Sequence, residues 1–341
     1  MRLPGRQTFL YAVIGLLVLL AAAITATIGW RPFIGPRARA LTDRTFERTP
    51  ARMERGRYLV RAVTGCLICH SNVDAGVAVP SEEAMNGAGK VWEPEGMPWL
   101  VAPNLTPDRE TGAGGWSDDT IARAVREGIG HDGRTLFPLM PYLQYRGMSD
   151  EDLASIVVYL RSLPAVRNPL PRTEVPFPPG PLINGLQQPV DAPVPQPDLS
   201  DPVKRGEYLV RLGACTDCHT PMDAQGNQIP GMAFAGGFVL RHGNGQVTSA
   251  NLTPDPSGIP YYTEELFLTT MRTGRVISRK ISDVMPWWAA GNQTDDDLRA
   301  MFAYLKTLTP VAHRVDNTLP PSECPVCGLT HAGGDRNRRS N

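Results

Sequence analysis

All six cysteines of this 341-residue chain fall in C-x-x-C pairs: Cys66 with Cys69, Cys215 with Cys218, and Cys324 with Cys327. The first two pairs are followed at once by a histidine, His70 and His219. C-x-x-C-H is the covalent attachment signature of c-type haem. The two thiols form thioethers with the haem vinyl groups, and the next imidazole is placed to bind iron. The spacing therefore predicts two covalently bound haem c groups, held by Cys66, Cys69, Cys215 and Cys218, with His70 and His219 as axial ligands. A disulfide or half a zinc site is the competing reading of a single such motif. Two copies in matching contexts weigh against it.

The matching contexts are an internal repeat of roughly 150 residues, too long for a solenoid unit and read as a duplicated domain. Arg55-Gly56-Arg57-Tyr58-Leu59-Val60-Arg61 precedes the first motif, and Arg205-Gly206-Glu207-Tyr208-Leu209-Val210-Arg211 precedes the second. Downstream, Asn104-Leu105-Thr106-Pro107-Asp108 returns as Asn251-Leu252-Thr253-Pro254-Asp255. A short helix follows in each copy, with Ser117 and Thr263 as N-caps. Each copy closes on a second helix, opened by Ser149 or Thr294 with Asp152 or Asp297 three residues on. Apolar residues at helical spacing then run from Leu153 to Leu160 and from Leu298 to Leu305, and Pro164 and Pro310 stop them. The acidic run Asp295-Asp296-Asp297 reads as the favourably charged first turn of that helix rather than as acid/base machinery.

The iron needs a sixth ligand, and Met140 and Met285 are the candidates. A thioether is a soft neutral ligand, and His/Met ligation raises the haem potential. Both methionines sit at the same point of the repeat, precede a proline and an aromatic residue, and lie just before the closing helix. The alternative is that they are gap-filling core methionines. His131 and His242 are the rival ligands, but neither has a counterpart in the other copy. His313 and His331 carry no sequence signal. Pro107 or Pro254 is expected to pack near the haem or to accept a bond from the proximal histidine through its carbonyl. Trp287-Trp288 reads as packing against the haem, or alternatively as part of an electron exit path.

Two copies of R-G-x-Y-L-V, C-x-x-C-H, N-L-T-P-D and M-P-aromatic resemble the cytochrome c subunits of membrane-bound bacterial dehydrogenases of the alcohol and gluconate type. The resemblance covers residues 51–167 and 203–312. It implies a mainly α fold with tandem class I-like cytochrome c domains after an N-terminal transmembrane helix. It further implies that Met140 and Met285 complete the two axial pairs. The implied role is electron transfer from a periplasmic dehydrogenase partner to quinone, another cytochrome or a terminal oxidase, with no catalysis by this chain. A dihaem enzyme such as a peroxidase, with one open iron, is the alternative that the paired Met-Pro motifs disfavour. Several relatives carry three haem domains. Here the third pair, Cys324 and Cys327, is followed by Gly328 and little further chain, so it is read as a small disulfide loop. A metal site involving His331 would lack ligands for a closed zinc shell.

The remaining stretches divide the chain. Residues 1–7 read as a short cytoplasmic segment and 8–30 as an uncleaved transmembrane signal anchor, since about 20 apolar residues span the hydrocarbon core. Arginines after the anchor outnumber those before it, which alone would place the bulk of the chain in the cytoplasm. By analogy with the family it resembles, haem is attached on the outer face of the bacterial membrane; that resemblance overrules the count and implies haem domains in the periplasm. Residues 31–50 are a linker, 168–202 a proline-rich connector that must wrap over the domains to fix the haem spacing, and 313–341 a tail. Lys+Arg and Asp+Glu both total 34, which argues against nucleic acid. Two propionates per haem add roughly −2 each and strengthen that exclusion. Dinucleotide, Walker and nucleophile-elbow motifs are absent from the sequence.

Overall fold

The computed structural model describes residues 5–73, 79–93, 96–242 and 245–338. It is mainly helical. Helix α1, Arg6–Ala26, has 21 residues, none of them buried, with a mean hydropathy of 2.5 over its most apolar window. At 1.5 Å per residue it is about 31 Å long, the thickness of a hydrocarbon core. It ends at Ala26, short of the expected Trp30; Gly29 is left-handed at φ +68°, and Arg31–Ile34 forms a separate turn. The start of the expected cytoplasmic segment, residues 1–4 with Arg2, lies outside the described residues.

The linker that follows is pinned to the first copy rather than free. Arg39 makes a two-pronged pair with Asp119, both contacts at 2.7 Å, and reaches Glu127 at 2.8 Å. Arg44 adds a third bond to Asp119 at 2.7 Å. Burial disfavours the Asp119 charge, but the Arg39 hydrogen bonds, the Thr42 amide and the two guanidinium charges outweigh it and hold the carboxyl well below its usual range.

Within each copy the same helices recur, with the predicted caps in place. In the first copy α2 is Pro50–Tyr58, α3 is Asp118–Glu127 and α4 is Asp150–Leu160; in the second, α5 is Pro202–Leu212, α6 is Glu264–Thr273 and α7 is Asp295–Leu305. Ser117, Ser149, Thr263 and Thr294 each accept a bond from the amide three residues on. Small antiparallel hairpins, Lys90–Trp92 with Met97–Ala102 and Val239–His242 with Gly245–Thr248, follow the C-x-x-C-H motifs.

The opening and closing helices of each copy cross at a glycine. A Cβ on Gly56 would stand 2.0 Å from the Ser155 carbonyl oxygen, and one on Gly206 would stand 1.9 Å from that of Ala300. Beside each crossing the arginine of the motif pairs with the third residue of the closing helix: Arg55 with Asp152 at 2.8 Å and Arg205 with Asp297 at 2.5 Å. The tyrosines of the same motif cross to the other copy. Tyr208 Oη donates to Asp152 at 2.9 Å and accepts from the Ser149 amide at 3.0 Å. Tyr58 does the same with Asp297 and, at 3.1 Å, with the Thr294 amide. The two copies thus meet through one self-complementary set of contacts used twice.

The connector lies along the first copy. Thr173 bonds the Val101 backbone in both directions, Gln187 donates to Tyr142 Oη at 2.8 Å, and the Asp150 amide donates to Val194 at 2.9 Å. The segment expected as a tail folds back on the second copy. There Asn317 brackets Thr248 with two 2.8 Å bonds, and Pro321–Glu323 pairs with Thr330–Ala332.

Replacing Gly206 with alanine is expected to lower stability by at least about 2 kcal/mol, because a methyl cannot fit against a backbone carbonyl without moving a helix. Chemical denaturation checks this, with the exposed Glu207→Ala as a control that changes little. Equal midpoints for the two variants would contradict the close crossing.

Candidate functional site

Each C-x-x-C-H motif opens on a single helical turn entered through a left-handed residue, Gly65 at φ +60° and Ala214 at φ +50°. Positions three apart on one turn share a face, so each motif presents both sulfurs on one side. Burial pushes the Cys215 thiol up to about 12 and raises that of Cys66. These are protonated thiols, not the low-pKa thiolates of catalytic or redox-active cysteines.

The following histidines are oriented by backbone carbonyls. Nδ1 of His70 donates to the Pro103 oxygen at 2.8 Å, and Nδ1 of His219 donates to the Ala250 oxygen at 2.8 Å. A carbonyl can only accept, so the proton sits on Nδ1 and the Nε2 lone pair is left for a metal. Burial lowers the pKa of both imidazoles, which keeps them neutral. Of the two readings of Pro107 and Pro254, the carbonyl one does not hold: the acceptors, Pro103 and Ala250, stand immediately before the N-L-T-P-D motif.

That motif holds the accepting loop in place. Asn104 Oδ1 accepts from the Thr106 amide at 2.9 Å and from its hydroxyl at 2.7 Å, while Nδ2 donates to Val166 at 2.8 Å. Asn251 repeats this with Thr253, both bonds at 2.8 Å, and donates to Val311 at 2.8 Å. The hydroxyl after each histidine also has a fixed role. Ser71 accepts from the Gly87 amide at 2.9 Å, and Thr220 accepts from that of Phe234 at 3.1 Å. Sequence reading missed these supports, although the repeated N-L-T and the hydroxyl after each C-x-x-C-H were visible signals.

Met140 and Met285 are half-buried and pack on the edge of the main core. Their backbones match: the amide of each bonds three residues back, to Phe137 and Ser282, both at 3.1 Å, and Pro141 and Pro286 have the same conformation. The aromatic residue after each proline covers a glycine that ends α3 or α6. A Cβ on Gly128 would stand 2.7 Å from the Tyr142 ring, and one on Gly274 would stand 2.4 Å from Trp287. This packing gives Trp287 a structural role at the end of α6.

The rival ligands fare differently. His131 is exposed and stacks on Trp116 with ring centroids 4.4 Å apart, as expected of a loop histidine. His242 ends a strand, and the adjoining Gly243 and Asn244 lie outside the described residues. The acidic run is structural as read: Asp295 pairs with Arg272 at 2.6 Å and Asp297 with Arg205. Cys324 and Cys327, expected as a disulfide, are free thiols buried beside His313 and His331, two histidines that carried no signal in the sequence.

Paired thiols on one turn, a neutral imidazole anchored through Nδ1 and a repeated Met-Pro turn are the fittings of a c-type cytochrome. Comparison with known proteins agrees, although no family model matches the chain. The chain is 38% identical over 226 residues to a nicotinate dehydrogenase subunit of Pseudomonas putida, covering 64% of this chain and 18% of that protein. It is 32% identical over 276 residues to the gluconate 2-dehydrogenase cytochrome c subunit of Pantoea cypripedii, covering 76% of this chain and 60% of the relative. A diheme cytochrome c-type protein of Cereibacter sphaeroides is 27% identical over 261 residues, 72% of this chain and 83% of that one. The chain is a homologue of the cytochrome c subunits of bacterial dehydrogenases. It spans less than two thirds of the length of the two dehydrogenase relatives.

Asn104→Ala is expected to destabilise the first copy by about 1–3 kcal/mol, the range for leaving buried backbone groups unpaired. The same change at Asn251 should act on the second copy. Differential scanning calorimetry of each variant checks the loss; an unchanged unfolding temperature would show that these side chains do not hold the histidine-anchoring loops.

Proposed function

We infer that the chain is a membrane-anchored dihaem electron carrier that serves a dehydrogenase partner. Cys66 and Cys69 would hold one haem with His70 and Met140 on its iron, and Cys215 and Cys218 would hold the other with His219 and Met285. Bound haem supplies a reversible one-electron couple at iron. The observation that carries the reading is the duplication of the whole fitting: the same turn, the same histidine-to-carbonyl bond at 2.8 Å and the same Met-Pro backbone in both copies.

The protein's own residues set the conditions for transfer. The carbonyl bonds fix each imidazole and raise its basicity, and a methionine thioether favours the reduced iron and so a high potential. The tyrosine contacts between the copies hold the two sites at one separation. Residues 51–167 and 203–312 would be tandem class I-like domains, with 8–30 as the anchor and the haem domains on the periplasmic side. Electrons would arrive from a periplasmic or membrane-bound dehydrogenase subunit and leave to quinone, another cytochrome or a terminal oxidase. With both irons capped by methionine, the chain transfers electrons without turning over an organic substrate.

Met140→Ala and Met285→Ala are each expected to convert one haem to high spin and lower its potential, leaving the other unchanged. Electron paramagnetic resonance and a redox titration of the purified full chain check this. Two low-spin haems at unchanged potentials in both variants would show that the ligands are wrong. Substantial peroxide turnover by the unmodified chain would overturn the carrier role.

A further inference from the structure

The C-terminal segment brings together four donors that the haem sites do not use. His313, Cys324, Cys327 and His331 are buried, and one ligand atom from each lies within 4.8 Å of all the others. The two Nε2 atoms are 3.1 Å apart, and Cys324 Sγ is 3.5 Å from Nε2 of His313. Around a tetrahedral zinc with Zn–N near 2.0–2.1 Å and Zn–S near 2.3 Å, the corresponding edges are about 3.3 Å and about 3.6 Å. Two of the six edges therefore match a closed Cys2His2 shell, and all six lie within 4.8 Å.

The hydrogen bonds turn the imidazoles the right way for it. Nδ1 of His313 donates to the Ala235 oxygen at 2.9 Å, and Nδ1 of His331 donates to the Ala332 oxygen at 3.2 Å. Both protons are thereby placed on Nδ1, and two Nε2 lone pairs face each other across 3.1 Å. That arrangement is repulsive unless a cation lies between them. Carbonyl partners of this kind orient metal-binding histidines generally. A Cys324–Cys327 disulfide would use only the sulfurs and leave the opposed lone pairs buried against Met232, Ala235 and Leu329.

Comparison of the two copies sharpens the point. In the first copy the position after the closing helix is Asn168, whose amide donates to the Ala88 oxygen at 2.8 Å and whose backbone amide donates to Thr111. In the second copy His313 has the same two jobs, donating through Nδ1 to Ala235 and through its backbone to Ser257. Asparagine suffices for that role. The imidazole adds one thing, a second nitrogen, and it is aimed at the cysteine pair. Room for the ring is also provided: a Cβ on Gly237 would stand 2.6 Å from His313 Cε1. On the other side, the thiols come from a C-x-x-C turn closing the Pro321–Glu323 and Thr330–Ala332 hairpin, with the Cys324 amide donating to Leu329 at 2.8 Å.

We propose that His313, Cys324, Cys327 and His331 bind one structural zinc ion that clamps the C-terminal hairpin to the second copy. The ion closes a loop between the end of the second copy and the hairpin, and it keeps two thiols from oxidation in a compartment that favours disulfides. The donors are complete without water, so the site is structural and has no open position for substrate.

The test uses the full chain purified in detergent from zinc-supplied cells. Elemental analysis is expected to give about one zinc per polypeptide, in addition to haem iron, falling below about a tenth in Cys324→Ser/Cys327→Ser. Zinc-edge X-ray absorption of the unmodified chain should show two sulfur and two nitrogen neighbours, so the proposal does not depend on the variant folding. Alkylation after chelation in denaturant should label both thiols. A Cys324–Cys327 disulfide in the unmodified chain would overturn the proposal. So would a zinc shell lacking sulfur, or failure to retain zinc after equimolar addition and desalting. Haem spectra report separately on the electron-carrier reading, which stands or falls without this ion.

Discussion

The structure depends on two helix crossings at which backbone meets backbone. Gly56 and Gly206 let the opening helix of each copy approach the carbonyl of Ser155 or Ala300 to a distance that no side chain tolerates. The arginine before each glycine and the tyrosine two residues after it then converge on the first turn of a closing helix. Arg55 with Tyr208 grips Asp152, and Arg205 with Tyr58 grips Asp297. One short motif therefore fixes the fold of its own copy and the placement of the other.

From this crossing the route to the site is short. The C-x-x-C-H turn follows the opening helix directly, while the Met-Pro turn precedes the closing helix that the same glycine contacts. The histidine is completed by a third segment, the Asn104 or Asn251 loop, which is tied to the chain just beyond the closing helix through Val166 or Val311. The C-x-x-C-H turn, the Met-Pro turn and the carbonyl that orients the imidazole are thus referred to one helix pair. Such rigidity suits the proposed one-electron site, which must change oxidation state with little rearrangement.

Much of this was legible in the residues themselves. The caps at Ser117, Ser149, Thr263 and Thr294 follow from local chemistry, and the repeat exposed the equivalent turns. What the sequence hid were contacts whose partners lie far apart. Pro107 offered itself as a carbonyl or as a residue packed near the haem because it belongs to the repeated motif, yet the acceptor is Pro103, and nothing about its type marks a backbone oxygen as a partner. The cysteine pair near the C-terminus read as a disulfide because His313 stands in a different segment and is brought to it only by the fold. Trp287 read as packing against a haem because of the methionine beside it, whereas the glycine it covers is distant in sequence.

The two copies differ most where their chains leave the closing helix. The first continues into a connector laid over its own surface, the second into a hairpin folded back beside His313. In both, the exit is fastened to the loop that orients the histidine of the C-x-x-C-H motif. The account rests on two equivalent haem sites, and the most direct measurement is ferric electron paramagnetic resonance of the purified full chain, with haem content per polypeptide measured in parallel. Two covalent haems per chain, both low-spin, are expected. A single haem, or a high-spin ferric signal from either site, would contradict it.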